Sequence, residues 1–191
     1  MSLIRSVKHF VIVGDGRVGK TTLLFTYTNG FYQESTVPTI YDREETSVRF
    51  NGEDYPVQFH DTAGQEDYES ASRFAYSVAD VIILCYAVPE RISFENIELK
   101  WIPKIIKARP NVPIVLVGTK HDVKTPNFVS VREATKTANS ANSVPVKLSL
   151  RMGEIGDFKH IVLVGDGQVG KTSLVYAFKN GYFTESYIPT M

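Results

Sequence analysis

One stretch of this sequence constrains the fold more than any other: residues 14–21 read GDGRVGKT. It follows the apolar, β-branched run HFVIVG (9–14), which is typical of a strand buried on both faces. It precedes KTTLLFTYTNG, which predicts a helix ended by Asn29-Gly30. The pattern GxxxxGK[ST] between a buried strand and a helix is a phosphate-binding loop in the context that it requires. The chain therefore needs a sheet of the α/β type to support this loop.

Each residue type in this loop has a chemical purpose. The glycines let backbone N–H groups turn inward around phosphates, and the helix N-terminus adds its positive end. Lys20 would reach the β- and γ-phosphates, and the Thr21 hydroxyl would bind Mg²⁺. The predicted phosphate-binding residues are Asp15, Gly16, Arg17, Val18, Gly19, Lys20, Thr21 and Thr22.

The rest of the chain alternates strand and helix patterns. Three further apolar runs predict buried strands: 80–86, 112–118 and 144–149. The turn NGED between TSVRF and YPVQFH predicts a hairpin. Helices are predicted over about 93–108, bent at Pro103, and from the capping box SVRE (130–133) to about 142. We therefore predict a three-layer α/β fold of the P-loop NTPase type, with a mostly parallel six-stranded sheet and one antiparallel hairpin strand.

The stretch DTAGQED (61–67) follows the second strand of the hairpin and would face the phosphates. Asp61 is placed to hold Mg²⁺ through water. Gly64 has no side chain, so its N–H can approach a γ-phosphate. Gln65 then lies where it can orient an attacking water. We predict Gln65, Lys20 and Gly64 as catalytic residues.

The stretch GTKHD (118–122) predicts which base is bound. The Asp122 carboxylate can accept hydrogen bonds from guanine N1–H and its 2-amino group, and adenine offers neither donor. Lys120 would lay its stem along the ring. Thr119, Lys120 and Asp122 are therefore predicted to bind guanine.

Together these motifs resemble the Ras superfamily of small GTPases, over roughly residues 8–154. The stretches VPTIYD, DTAGQEDYE, SFENIELKWIPKI and GTKHD are similar to the Rho/Rac-like branch. The resemblance implies that Thr39 coordinates Mg²⁺ in the GTP-bound form and that Tyr32 lies beside the guanine. The family's S-A-K motif is represented by Ser149-Leu150-Arg151, where Ser149 and Leu150 would meet the base through the backbone.

The chain departs from the Rho-like pattern at several positions. His60 replaces a Trp, and we expect it to be a packed or solvated substitution rather than a pH-sensitive ligand. Thr36 replaces a Tyr, and the helical insertion after T-K-x-D is absent. Arg17 is expected to point outward rather than act as an arginine finger, and Gly16 leaves room for a finger from a partner.

The resemblance implies a Mg²⁺-dependent switch that binds GTP and GDP and hydrolyses GTP slowly unless a GTPase-activating protein assists. It also implies exchange factors and effector proteins as partners. The alternatives are a pseudo-GTPase or scaffold fragment with weak or no hydrolysis, and an adenine-nucleotide enzyme, which Asp122 disfavours.

Composition limits the other possibilities. The 191 residues carry 21 basic and 21 acidic side chains, so nothing favours a nucleic-acid partner. The single cysteine, Cys85, lies in a predicted buried strand. We see no signal peptide, no apolar run of about 20 residues and no lipid-anchor motif, and we expect a cytoplasmic protein.

A second loop, GDGQVGKT, occupies residues 165–172. Residues 8–39 and 159–190 are identical at 18 of 32 positions with a constant offset, which indicates an internal repeat. The chain is therefore divided into a GTPase domain over 1–156 and a truncated repeat over 157–191, with a strand, loop, first helix and start of switch I. The residues that could form its loop are Gly167, Gly170, Lys171 and Thr172.

The GTPase domain is predicted to lack the last helix of its family, because MGEIGDF runs directly into the repeat. One hypothesis is that residues 171–183 fill the resulting groove as a substitute helix. The other is that the chain is a truncated piece of a tandem GTPase or a faulty gene model.

Overall fold

The computed structural model describes residues 6–29, 31, 41–50, 53–62, 69–123, 125–140, 144–147, 162–163 and 182–183. The strands are β1 Lys8–Gly14, β2 Tyr41–Phe50, β3 Glu53–Thr62, β4 Val81–Ala87, β5 Ile114–Thr119, β6 Val144–Lys147, β7 Val162–Leu163 and β8 Tyr182–Phe183. The helices are α1 Lys20–Asn29, α2 Glu69–Val78, α3 Arg91–Asn96, α4 Ile102–Ala108 and α5 Val131–Ser140, and a π-helical turn, Ile97–Trp101, joins α3 to α4.

These strands form one sheet in the order β7-β6-β5-β4-β1-β3-β2-β8. Its six central strands are those of the predicted α/β fold, which is confirmed. β2 runs antiparallel to β3, and β1, β3, β4, β5 and β6 are parallel. The two-residue strands β7 and β8, which belong to the repeat, extend opposite edges of these six strands and bring the sheet to eight.

The predicted hairpin is present and longer than its sequence pattern suggested. Phe50 pairs with Glu53, so only Asn51 and Gly52 separate the two strands. The same ladder continues to Tyr41 opposite Thr62. This length matters for the site, because it extends β3 to the edge of the sheet where β1 ends.

The helical segment after β4 is irregular before Pro103 rather than at it. The N–H of Ile102 donates to the carbonyl of Ile97, an i→i+5 bond that defines the π turn. Pro103 follows as the second residue of α4 and has no N–H to give to Leu99. The predicted bend at Pro103 is therefore corrected to a π turn that ends two residues earlier.

Helix α5 begins with the predicted capping box. The N–H of Ser130 donates to Oε2 of Glu133 at 2.9 Å, and the N–H of Glu133 donates to Oγ of Ser130 at 3.2 Å. Oε1 of Glu133 also accepts a hydrogen bond from Arg91 at 2.8 Å. The Ser130 hydroxyl, which donates to Oε2 at 2.6 Å, together with Arg91 and the Ser130 N–H, lowers the pKa of Glu133 to about 2. The first turns of α3 and α5 are thereby joined.

Side chains alternate between two apolar clusters on opposite faces of the sheet. Val11 and Val13 of β1 pack beneath α2, α3, α4 and α5, whereas Ile12 packs with Leu23 and Leu24 of α1. The face under α1 also carries partly exposed apolar side chains from neighbouring strands: Phe10, Ile83 and Val115. Helices on both faces give the predicted three layers.

The repeat is described only at its two short strands. Because Tyr182 and Phe183 pair with Arg49 and Phe50 as a strand, the hypothesis of a helix over 171–183 is wrong at those last two residues. Residues 171–181 of that segment lie outside the described residues. The region of the predicted missing last helix does so too, and both remain predictions. No helix in the described part of the chain is long and apolar enough to cross a bilayer.

Candidate nucleotide-binding site

The predicted phosphate loop lies between β1 and α1, at the carboxyl ends of the parallel strands. Gly14 has φ 142°, and a Cβ on it would lie 2.2 Å from the carbonyl oxygen of Cys85 in β4. Only glycine fits there, because both the backbone conformation and the close approach exclude a side chain. Arg17 and Gly19 also have positive φ, at 63° and 92°. The loop is therefore tightly curled against the sheet.

Lys20 is buried at the start of α1 and is held by the loop itself. Its Nζ donates to the carbonyls of Gly14 and Asp15 at 3.0 and 2.8 Å. Burial lowers the pKa of Lys20, and the nearby Cys85, Asp61 and Asp15 oppose that effect. The ammonium group is thus centred over the loop, where it can meet a phosphate.

Thr21 and Asp61 meet at the end of neighbouring strands. The Thr21 hydroxyl donates to Oδ2 of Asp61 at 2.5 Å, and Asp61 is only 1% exposed. A hydroxyl and a buried carboxylate are hard oxygen ligands that suit Mg²⁺, which takes one or two protein carboxylates and completes its shell with phosphates and waters. The two residues therefore fit the predicted metal.

No group of three or more His, Cys, Asp or Glu side chains fit for a metal occurs within the described residues. Thr39, the remaining predicted ligand, lies outside the described residues.

The predicted base loop at the end of β5 is tied to the phosphate loop. The Thr119 hydroxyl donates to the carbonyls of Val18 and of Tyr86, the latter at 3.0 Å. Nζ of Lys120 donates to the carbonyl of Arg17 at 2.6 Å. Two separate stretches of sequence therefore form one connected unit.

Asp122 follows this connection by two residues and is half-buried. Lys120 has a positive φ of 55°, so the chain turns sharply at the point where it leaves β5. After this turn the chain no longer continues along the line of β5 when it reaches Asp122. Asp122 lies two residues after Lys120, which bonds to the phosphate loop, and its predicted contact with the base remains a prediction.

Other residues of the predicted loop differ in exposure. Gly16 and Arg17 are exposed, and a Cβ at Gly16 would meet no heavy atom within 4 Å. Val18 is fully buried, and Thr22 is half-buried, its carbonyl accepting the Thr26 hydroxyl at 2.8 Å. The exposure of Arg17 agrees with the outward direction predicted for it.

We expected His60 to be either a packed or a solvated substitution, and the structure shows it packed. It is 1% exposed, and its Nε2 lies 2.9 Å from Nδ1 of His9 on β1. Burial, His9 and Arg43 lower the pKa of His60 to about 4. The ring is therefore neutral near pH 7 and belongs to the core beside Asp61.

Several predicted residues lie outside the described residues, and their predicted roles are untested. In the first domain they are Tyr32, Gly64, Gln65, Ser149 and Leu150. In the second loop they are Gly167, Gly170, Lys171 and Thr172.

The structure adds two residues to the site that the sequence did not indicate. Nε1 of Trp101 and Nδ2 of Asn96 each donate to the carboxylate of Asp15. Both belong to the segment SFENIELKW that carried part of the family resemblance. Pro103 indicates an irregular helix near these residues, but it does not indicate which side chains the irregularity brings to Asp15.

Comparison with known proteins agrees with this geometry. A family model described as the Ras family matches residues 9–152 and, separately, residues 160–191. The Ras-like GTP-binding protein RhoL of Drosophila melanogaster is 44% identical over 128 residues, which cover 65% of this chain and 67% of that protein.

Proposed function

This chain belongs to the Ras family, and from that premise we propose that it is a guanine-nucleotide-binding switch. It binds GTP and GDP with Mg²⁺ and slowly hydrolyses GTP to GDP and phosphate. The observation that carries the proposal is the convergence of Lys20, Thr21 and Asp61 at the carboxyl ends of β1 and β3. A charge, a hydroxyl and a buried carboxylate at one point suit a metal-bound polyphosphate.

The choice of guanine is supported by the connection between the two loops. Thr119 and Lys120 hydrogen-bond to carbonyls of the phosphate loop. A base held at Asp122 would therefore be held at a defined distance from phosphates held at Lys20. Because Asp122 is half-buried, a base without donors for its carboxylate would leave a partly desolvated charge without compensation.

The residues would share the work of phosphoryl transfer as follows. Lys20 neutralises charge on the β- and γ-phosphates. Thr21 and Asp61, together with Thr39, hold Mg²⁺, which when bound would neutralise further phosphate charge. Gln65 orients the attacking water, and the N–H of Gly64 contacts the γ-phosphate. The described residues place no arginine side chain in the loop's interior, since Arg17 is exposed, so rapid turnover would need a partner's arginine.

The biological setting follows from the same proposal. We place the switch among the Rho-like members in the cytoplasm, with an exchange factor, a GTPase-activating protein and effectors as partners. The open space at Gly16 supports an arginine supplied by an activating protein. Residues 1–156 form the GTPase domain, and residues 157–191 form a partial second copy. The two short strands of this second copy extend the sheet of the GTPase domain.

Equilibrium binding tests the proposal. Purified full-length chain is titrated against fluorescent GDP and GTP with Mg²⁺, with unlabelled GTP, ATP and xanthosine triphosphate as competitors. Phosphate release from GTP is then followed over a single turnover. Guanine-selective binding with slow release supports the switch. A folded chain that binds no nucleotide would instead favour the scaffold, and equal competition by ATP would favour an adenine-nucleotide enzyme.

A further inference from the structure

The phosphate loop contains a carboxylate that phosphate binding does not explain. Asp15 is the second residue of GDGRVGKT, and its backbone carbonyl accepts a hydrogen bond from Nζ of Lys20, the ammonium group of the proposed phosphate site. A like charge there weakens phosphate binding unless it is directed away and satisfied by other groups. The contacts of Asp15 therefore need a physical reason.

Both carboxylate oxygens of Asp15 are turned toward the helical segment between β4 and β5. Nε1–H of Trp101 donates to Oδ1 at 2.9 Å, and Nδ2–H of Asn96 donates to Oδ2 at 2.6 Å. Hydrogen bonds from neutral donors to a carboxylate are among the stronger ones in proteins. The two bonds use both oxygens, so they define the orientation of the group as well as its position.

The π turn is what allows one carboxylate to receive both bonds. Asn96 and Trp101 are five residues apart, and on an α-helix such residues lie about 140° apart around the axis. The N–H of Ile102 donates to the carbonyl of Ile97, an i→i+5 bond that widens the turn where both donors reach one carboxylate. An α-helical path over the same residues would separate the two donors.

Trp101 also connects this arrangement to the protein core. It is 3% exposed and packs in the apolar cluster beneath α2, α3, α4 and α5. On the other side of the contact, the carbonyl of Asp15 accepts Nζ of Lys20 at 2.8 Å. Asp15 thus links the core of one helical segment to the ammonium group of the proposed phosphate site.

We propose that Asn96 and Trp101 are positioning residues that act through Asp15 to hold the phosphate loop in its binding shape and to keep the Asp15 charge away from the nucleotide. This proposal rests on the proposed nucleotide-binding function. It assigns the π turn a role beyond packing, because Asn96 and Trp101, on either side of the turn, both donate to the Asp15 carboxylate.

The test is a mutant cycle on nucleotide release in the full-length chain. Asn96→Ala removes one donor, and Trp101→Phe removes the other while keeping an aromatic ring in the core. Each is expected to speed release of fluorescent GDP about tenfold, the size of a lost hydrogen bond to a charged group. In an Asp15→Ala background the same two changes are expected to have no further effect on release, since their partner is gone.

A matched control separates positioning from stability. Ile105→Val trims a fully buried side chain on α4 of the same segment. It should lower the melting temperature and leave the GDP release rate unchanged. Asn96→Ala and Trp101→Phe should speed GDP release. A lower melting temperature alone would not explain this, since Ile105→Val lowers the melting temperature and leaves release unchanged.

The outcomes distinguish the two proposals. Additive effects in the Asp15→Ala background, or unchanged release in both single variants of a chain that binds GDP, would overturn the positioning role and leave the switch intact. Absence of GDP binding in the unaltered, folded chain would overturn both.

Discussion

The hydroxyl of Thr21 lies 2.5 Å from Oδ2 of Asp61, across 40 residues of sequence. Thr21 is the second residue of α1, which follows β1, and Asp61 lies one residue before the end of β3, the strand that pairs with β1 in parallel. Two of the three residues proposed to hold Mg²⁺, Thr21 and, through water, Asp61, therefore meet because two neighbouring strands end at the same edge. This contact is also the most direct point at which to test the metal site.

Removing the Thr21 hydroxyl should uncouple nucleotide binding from Mg²⁺. In Thr21→Ala the metal loses a ligand, so we expect GDP to be released at least tenfold faster, with little further acceleration on adding a chelator. The measurement is the GDP release rate with Mg²⁺ and with excess EDTA. Thr28→Ala is the control, because the Thr28 hydroxyl bonds only to carbonyls of its own helix and to Asn29 among the described contacts. A Thr21→Ala protein that kept the full Mg²⁺ effect would contradict this assignment.

Changing Asp122 should alter which base is bound. In Asp122→Asn the side chain presents a carbonyl and an amino group in place of a carboxylate, which suits the added carbonyl oxygen of xanthine. We expect the affinity for GDP to fall by at least tenfold and that for xanthosine diphosphate to rise. Competition binding with both nucleotides measures the shift. Unchanged preference would place the base elsewhere.

Tyr86 carries a buried hydroxyl that costs stability. The residue is 1% exposed, and its oxygen has no hydrogen-bond partner among the described residues. A Cβ on Gly118 would lie 2.7 Å from that oxygen, so the space around it is already filled. Tyr86→Phe should raise the free energy of unfolding by about 1 kcal/mol, since it removes an unsatisfied polar group without leaving a large cavity.

Urea denaturation of the two proteins measures this change. An unchanged m-value would show that the substitution altered stability and not the surface exposed on unfolding. A loss of stability in Tyr86→Phe would mean that the hydroxyl is satisfied after all.

The capping box of α5 should make stability depend on pH. The folded protein holds the pKa of Glu133 at about 2, below the ordinary value of 4.5. As pH falls, the unfolded chain therefore binds a proton at this group before the folded protein does. The stabilisation by the Glu133 charge is full above about pH 4.5 and is lost as pH falls toward 2.

Comparison with Glu133→Gln isolates this contribution from those of other carboxylates. The difference in unfolding free energy between the two proteins should be constant from pH 7 to pH 5 and should shrink below about pH 4.5. Denaturation at a series of pH values measures it. A difference that stays constant down to pH 3 would show that the ionised carboxylate contributes nothing beyond what the amide supplies.

The short strands β7 and β8 should stabilise the sheet whose edges they extend. Truncation after residue 156 removes both pairings and exposes the edges of β6 and β2. We expect a lower melting temperature and a greater tendency to aggregate, measured by thermal unfolding and light scattering. An unchanged melting temperature would show that residues 157–191 add nothing to the first domain.

Much of the site could be predicted from the sequence because its parts are local. The loop, its glycines and the start of α1 lie within a few residues of one another, and the close approach of Gly14 to Cys85 explains why one of those glycines is required. The capping box at Ser130 and Glu133 is equally local and was correct. The bend at Pro103 was misplaced because a missing N–H disturbs the hydrogen bonds before it, and the sequence does not say how the helix accommodates that loss.

The sequence by itself determined most of the strands and helices, though not α2, together with the phosphate loop and the residue types available to a metal and a base, because these depend on short-range pattern and chemistry. Only the tertiary structure decided which distant groups meet. Parallel pairing of β1 with β3 brings Asp61 to Thr21, and the π turn brings Asn96 and Trp101 to Asp15. Such contacts depend on how strands align and how helices pack over long separations, which no local stretch of residues encodes.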